Sequence, residues 1–330
     1  MVPDHGGRLN RAAARYGIPR ADWLDLSTGI NPRPWPVPAV PESVWQRLPE
    51  TDDGLDAVAR RWSGAPDTAG CLPVAGTQAA IQALPRLRGP GRVGVPEPGY
   101  AEHAWWWRQA GHTVVAVGHD DVDRWIGELD VLVWIHPNNP TGLVVDAERL
   151  RSWHRTLAAR GGWLVLDEAF VDADPGRSLV PSAGPDGLVV LRSVGKFFGL
   201  AGLRGGLAFG PDGLCRALGE RLGPWAVSHP ARWIMARALA DAAWQAEARG
   251  WLARAADELD TVLVRHGLEP AGGTALFRYC PHAEAAAVQE RLARRGILVR
   301  RFQDPPALRF GLPPDSAGLA RLDDALGGRD

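Results

Sequence analysis

Only one of the chain's 37 basic residues is a lysine, Lys196. The others are arginines, whose guanidinium keeps its proton at physiological pH and cannot serve as nucleophile or base, whereas an amine can. Any reactive side-chain amine in this protein must therefore be Lys196. A GC-rich genome that replaces lysine by arginine explains the missing lysines, and on composition alone Lys196 is equally well a chance survivor. Its neighbours are more informative, because it follows Ser193 by three residues and precedes Arg204 by eight.

Short apolar runs alternate with helical patterns around these residues, the pattern of a doubly wound α/β sheet. Leu72–Val74 runs into Ala75-Gly76-Thr77-Gln78 and a helical 79–84, and Arg92–Val95 precedes Pro98-Gly99-Tyr100 and a helix ending near Gly111. Val131–Ile135 precedes His136-Pro137-Asn138-Asn139-Pro140-Thr141-Gly142. Asp146 then reads as the N-cap of a helix with Leu150, Trp153 and Leu157 on one face and Gly161-Gly162 as its stop. Trp163–Leu166 ends at Asp167-Glu168-Ala169-Phe170, and Leu188–Leu191 ends at Arg192-Ser193-Val194-Gly195-Lys196. Apolar runs of this length suit strands buried on both faces. Ligands of open α/β sheets sit beyond the carboxyl ends of the strands. Gly76, Thr77, Tyr100, Asn139, Asp167, Ser193 and Lys196 are thus expected to converge on one site from five strands.

A formal charge of −1 argues against a nucleic-acid or anionic-membrane binder, which needs a basic surplus. Hydrophobic content of 45% and charged content of 23% are those of a globular protein. Cys71, Cys215 and Cys280 form no CxxC pair, so neither a disulfide framework nor a zinc ribbon is expected, and no metal site is assigned. With no apolar run of membrane-spanning length and no secretory signal, the expectation is a soluble cytoplasmic protein. Three segments are expected: an N-terminal helix and proline-rich extended arm over 1–40, a large domain over 41–215, and a smaller α+β domain over 216–330. In the last, helices run from Ala231 to Arg265 with a break near Gly250, then a strand over 274–279, a helix over 282–295 and strands over 297–302 and 307–312. Trp105-Trp106-Trp107 is read as core and interface packing, since consecutive helical residues cannot all face one ligand.

The set Ser193-x-x-Lys196 with Arg204, Asp167-x-Ala-Phe170, and Asn139-Pro140-Thr141-Gly142 resembles fold-type I pyridoxal-phosphate enzymes of the class I/II aminotransferase group. Within that group the chain is similar to the threonine-phosphate decarboxylase family of cobalamin biosynthesis. The narrower likeness rests on His5-Gly6-Gly7, Ser27-Thr28-Gly29-Ile30-Asn31-Pro32, Arg47-Leu48-Pro49-Glu50 and Pro98-Gly99-Tyr100-Ala101-Glu102, with Ile297-Leu298-Val299-Arg300 and Leu308-Arg309-Phe310-Gly311-Leu312-Pro313. The resemblance implies an α/β large domain with a mixed, mostly parallel seven-stranded sheet between helices, a smaller α+β C-terminal domain, pyridoxal 5'-phosphate as cofactor, and a homodimer. It implies Lys196 as the amine bound covalently to the cofactor, and Asp167 as the carboxylate on the pyridine nitrogen. Gly76, Thr77, Gln78, Ser193 and Arg204 then cradle the phosphate, Tyr100 stacks on the ring, and Asn139 bonds the phenolic oxygen. His5, Gly6, Asn31, Asn139, Arg300 and Arg309 are implied to bind a phosphorylated amino acid. Arg301 competes with Arg300, because adjacent strand residues face opposite ways.

Two positions depart from the wider group. Phe170 stands where many relatives carry a tyrosine that reaches the phenolic oxygen, and Leu48 where many have a tyrosine that reaches a neighbouring subunit's phosphate. The implied reaction is decarboxylation of L-threonine O-3-phosphate. The alternatives are an aminotransferase resembling the histidinol-phosphate enzyme, and a non-catalytic binding module that keeps the fold. Lys196→Arg should preserve charge and fold but leave no cofactor adduct after borohydride reduction, as read by protein mass; appreciable activity in the variant would refute the assignment.

Overall fold

A computed structural model describes residues 6–328. The chain divides into two compact units. The larger contains Trp35–Asn139 and Val144–Gln245; the smaller contains the N-terminal residues up to Pro34, Pro140–Leu143, and the chain from Ala246 onward.

Strands are numbered along the chain. The larger unit holds β2 (Ala69–Val74), β3 (Arg92–Pro96), β4 (Thr113–Val117), β5 (Val131–Ile135), β6 (Trp163–Asp167), β7 (Leu188–Ser193) and β8 (Gly206–Pro211). They form one seven-stranded sheet in the order β2-β8-β7-β6-β5-β3-β4. β8 runs antiparallel to both neighbours, and the other pairs are parallel. All five residues of β5 are buried, as a strand covered on both faces requires. Val133, Val165, Val189 and Leu191 point to one face and pack with Ile81, Leu84 and Trp107. Trp134, one residue out of phase with Val133, meets Trp153 edge-on at 5.4 Å. Trp153 in turn lies in the helix Ala147–Ala158, which opens as its sequence dictates: the Asp146 carboxylate accepts the Glu148 N–H at 2.8 Å. Of the three consecutive tryptophans, Trp107 enters the core, and the half-buried Trp106 donates its indole N–H to Glu102 at 2.8 Å.

The smaller unit holds β1 (Leu24–Leu26), β9 (Gly272–Thr274), β10 (Phe277–Pro281), β11 (Ile297–Gln303) and β12 (Pro306–Gly311), in the order β1-β11-β12-β10-β9. β1 is parallel to β11 and the remaining pairs are antiparallel. Ala12 of the helix Leu9–Tyr16, Trp23 and Ala293 form a small apolar cluster beside this sheet.

The structure differs from the sequence reading at several points. Division between the units falls after Gln245, not near 215, and residues 35–40 group with the larger unit. The reason is packing: Cys215 of the helix Asp212–Leu222 lies against Gly70 of β2, and Arg232 of the helix His229–Ala240 makes two 2.7 Å bonds to Asp53. The expected break at Gly250 occurs at Asp241, whose carboxylate accepts the Trp244 N–H and the Trp35 indole N–H, both at 3.0 Å. Gly250 stays inside the helix Ala242–Arg265, a placement that costs about 1 kcal/mol relative to alanine. The single strand expected over 274–279 is a hairpin of β9 and β10. Residues 31–41 form no helix or strand. Among the described residues no helix is long and apolar enough to cross a membrane, and no cluster of His, Cys, Asp or Glu could hold a metal ion.

Asp146→Ala removes the cap of the helix Ala147–Ala158 and should destabilise the protein by about 1 kcal/mol in urea unfolding. An unchanged midpoint would contradict a capping role.

Candidate active site

A cavity of about 190 Å³ lies in the larger unit, lined by Gly76, Thr77, Gln78, Tyr100, Ile135, Asn139, Asp167, Ala169, Phe170, Ser193, Lys196 and Arg204. Nine of these residues are those that the sequence singled out, and they come from loops that follow β2, β3, β5, β6 and β7, with Asp167 and Ser193 as the last residues of β6 and β7. The ends of strands that run in one direction, as β2, β3, β5, β6 and β7 do here, deliver side chains to one edge of the sheet.

Asp167 is buried, and its Oδ2 lies 2.9 Å from Nε2 of His103, itself buried. The other oxygen accepts the Ala169 N–H at 3.1 Å. His103 went unnoticed in the sequence, although it sits three residues beyond Tyr100 on the helix Ala101–Gln109 and so shares a face with it. The two rings meet edge-on at 6.1 Å.

Gly76 precedes the helix Thr77–Ala83 with φ 72° and ψ 157°, a region open essentially to glycine alone. A Cβ there would also run into the Arg204 guanidinium. Arg204 itself adopts the left-handed conformation (φ 56°, ψ 49°), rare for a non-glycine residue, and donates to the Ala201 carbonyl at 3.1 Å. Gly206, the first residue of β8, leaves room for this loop: a Cβ on it would stand 2.9 Å from the Thr77 nitrogen and 3.0 Å from the Arg192 carbonyl oxygen. The Ser193 hydroxyl accepts the Gly195 N–H at 3.2 Å, shaping the turn to Lys196. Backbone N–H groups, hydroxyls and one guanidinium therefore border the same space, which suits a phosphate.

A chain of hydrogen bonds fixes the other wall. Tyr100 donates its hydroxyl to Gln78 Oε1 at 3.2 Å, and Gln78 Nε2 donates to the buried Glu102 at 2.8 Å. Burial, followed by the charges of Glu102 and Asp167, pushes the Tyr100 hydroxyl far above its ordinary pKa, so it stays a donor. Beyond β5, His136 Nδ1 accepts the Val145 N–H at 3.4 Å and Asn138 Nδ2 donates to the Pro98 carbonyl at 2.9 Å, holding the turn that presents Asn139. Burial lowers the His136 pKa to about 4, keeping that ring neutral. Lys196 Nζ lies 5.6 Å from the centre of the Phe170 ring.

Gly6, Asn31, Arg300 and Arg309 belong to the smaller unit, and His5 lies outside the described residues. Arg309 is buried and donates to the Ser27 carbonyl at 2.9 Å; the Ser27 hydroxyl accepts the Gly7 N–H at 2.8 Å, and a Cβ on Gly6 would collide with the Ser27 backbone. Asn31 is also buried, its side-chain oxygen accepting the Arg33 N–H at 2.9 Å. Arg300 and Arg309 stand directly across β11 and β12 from each other. Paired residues share a face, so Arg300 stands on the Arg309 side and Arg301 on the other. Two cations opposite each other repel, and an anion relieves that repulsion. Burial first, then the Arg300 charge, lowers the Arg309 pKa to about 10.

Gly76→Ala forces a strained backbone worth about 1–3 kcal/mol. It should therefore raise the dissociation constant for pyridoxal phosphate by roughly tenfold, read from quenching of tryptophan fluorescence. An unchanged constant would remove Gly76 from the phosphate cradle.

The family model described as aminotransferase class I and II matches residues 22–325. A threonine-phosphate decarboxylase from Pseudomonas aeruginosa is 54% identical over 98% of this chain and 97% of its own length. Another threonine-phosphate decarboxylase, from a Sinorhizobium species, is 45% identical over the same shares of the two chains. Among solved structures, the histidinol-phosphate aminotransferase of Sinorhizobium meliloti in complex with pyridoxal-5'-phosphate has the same fold, with a TM-score of 0.84 at 20% identity over 99% of this chain and 94% of its own. The chain belongs to the class I and II aminotransferase family.

Proposed function

We infer that the protein is a pyridoxal-phosphate-dependent carboxy-lyase that decarboxylates L-threonine O-3-phosphate to (R)-1-amino-2-propanol O-phosphate and CO2, for the aminopropanol arm of cobalamin. Kinship with threonine-phosphate decarboxylases over nearly the whole chain supports the substrate. The cavity supports the cofactor, because it joins the chain's one lysine to a buried carboxylate and a phosphate-sized set of donors.

Pyridoxal phosphate, when bound, supplies a ring that accepts the electron pair left by the breaking bond at the substrate's Cα. Lys196 would provide the amine that holds the cofactor and, through Nζ, could carry a proton to the substrate's Cα. Asp167 would keep the ring nitrogen protonated, with His103 holding the Asp167 carboxylate in place. Thr77, Ser193, Arg204 and the backbone around Gly76 and Gln78 would hold the phosphate, Tyr100 would lie against the ring, and Asn139 would bond its phenolic oxygen. Phe170 offers only carbon where many relatives have a hydroxyl. Arg300 and Arg309, with Gly6 and Asn31, are suited to the anionic groups of the substrate, and His5 is proposed with them. Two anionic groups anchored by these residues would fix the substrate's orientation and so which bond at Cα breaks.

The active form is proposed to be a homodimer in the cytoplasm. Trp45, Leu48 and Trp225 are each at least 60% exposed on the larger unit, apolar area suited to a second copy. Cys71, Cys215 and Cys280 are all free, as in a reducing compartment.

Purified protein loaded with pyridoxal phosphate should release CO2 from threonine phosphate with no 2-oxo acid acceptor present. Keto-acid formation without CO2 would contradict decarboxylation and favour transamination.

A further inference from the structure

Behind the cavity lies a set of charges that the reaction does not touch. Arg192 precedes Ser193 in β7, and adjacent strand residues face opposite ways; Glu168, one residue beyond β6, continues the pairing by donating its N–H to the Leu191 carbonyl at 2.9 Å. Asp167 and Ser193 line the cavity, so Glu168 and Arg192 point away from it into the interior. There Arg192 donates from Nε to Asp172 at 3.1 Å and from Nη2 to the same oxygen. Its Nη1 donates to the Ser178 hydroxyl at 3.0 Å and stands 3.8 Å from Glu168. The Ser178 hydroxyl donates to Glu168 Oε2 at 2.5 Å, and Glu168 Oε1 accepts the Leu179 N–H at 2.7 Å. The Arg192 guanidinium also lies 4.3 Å from the Trp62 ring centre. Glu168, Asp172 and Arg192 are each at most 2% exposed.

Such a group is a poor means of stabilising a fold, because apolar residues of the same volume do so at least as well. Directional bonds instead fix relative position. The segment after β6 needs this, since from Ala169 to Ala183 it has only the short turns Val171–Ala173, Pro175–Arg177 and Val180–Ser182. No sheet ladder anchors it, yet Ala169 and Phe170 form cavity walls. The cluster ties that segment, through Asp172, Ser178 and Leu179, to the ends of the two strands that carry Asp167 and Ser193.

We propose that the buried cluster of Glu168, Asp172 and Arg192, bridged by Ser178, positions Asp167, Ser193 and Phe170 and thereby sets how firmly pyridoxal phosphate is held and how its ring is protonated. These are positioning residues; none reaches the cavity. The proposal rests on the cofactor assignment and not on the choice of substrate. Burial raises the Glu168 pKa to about 7, with the Arg192 charge opposing it, in keeping with a carboxylate whose environment is finely balanced.

The test uses the full chain loaded with pyridoxal phosphate, without substrate, as wild type, Glu168→Gln and Ser178→Ala. Three quantities are read: the cofactor dissociation constant, the pH midpoint of the bound cofactor's visible band, and the unfolding midpoint of the apoprotein. Both variants should bind the cofactor more weakly by about tenfold, the low end of what losing a supporting residue costs a metal site, and should displace the spectral midpoint. A merely structural role would move the unfolding midpoint alone, so wild-type binding and spectra in the variants overturn the proposal. Should Glu168→Gln fail to fold, Ser178→Ala gives the same decision. Wild-type protein that takes up no pyridoxal phosphate overturns the cofactor assignment and the proposal together.

Discussion

A carboxylate buried at the end of a central strand is the constraint on which this structure turns. A carboxylate buried in the interior is tolerable only if it is hydrogen-bonded and near positive charge. Asp167 receives one bond from His103 and another from the Ala169 N–H. A protonated ring nitrogen, such as a bound pyridoxal cofactor would bring, would meet the remaining demand. Placing Asp167 there requires β6 to be flanked by β5 and β7, both buried, so that three adjacent strand ends open on the same space. The sheet, the helix that carries His103 and the loop that carries Lys196 follow from that requirement.

The phosphate side obeys a different rule, close approach of backbone. Gly76 has a conformation closed to other residues, Arg204 accepts a left-handed backbone, and Gly206 has no side chain to block the Thr77 nitrogen. Strain gathered where the loop after β2 meets the loop that enters β8 is what a binding site, and not folding, would call for. In the smaller unit a comparable tension is electrostatic, two arginines facing each other across β11 and β12.

Much of this was legible in the sequence. Continuous apolar runs give β5, β6 and β7 nearly residue for residue, and Asp146 and Gly161 mark the ends of the intervening helix. β4 went unassigned although Val114–Val117 is an apolar run: it is an edge strand, half-exposed over most of its length, and no residue of it lines the cavity that drew attention to the other strand ends. β8 begins at Gly206 and ends at Pro211, residues that read as loop, and only pairing on both sides makes it a strand. His103 escaped because its partner, Asp167, lies 64 residues away. Glu168 and Arg192 escaped for the same reason, as an acidic residue beside Asp167 reads as a cap until the strand register shows where it points. The unit boundary near 245 depends on long-range packing such as the Asp53–Arg232 pair, which leaves no mark in local composition.

The most direct test of the account is the protonation state of the ring nitrogen in bound, nitrogen-15-labelled pyridoxal phosphate, read from its chemical shift. A pyridinium shift in wild-type protein that moves to the neutral pyridine value in Asp167→Ala is the predicted result. A neutral nitrogen in the wild type, or a pyridinium that survives the loss of Asp167, would contradict it.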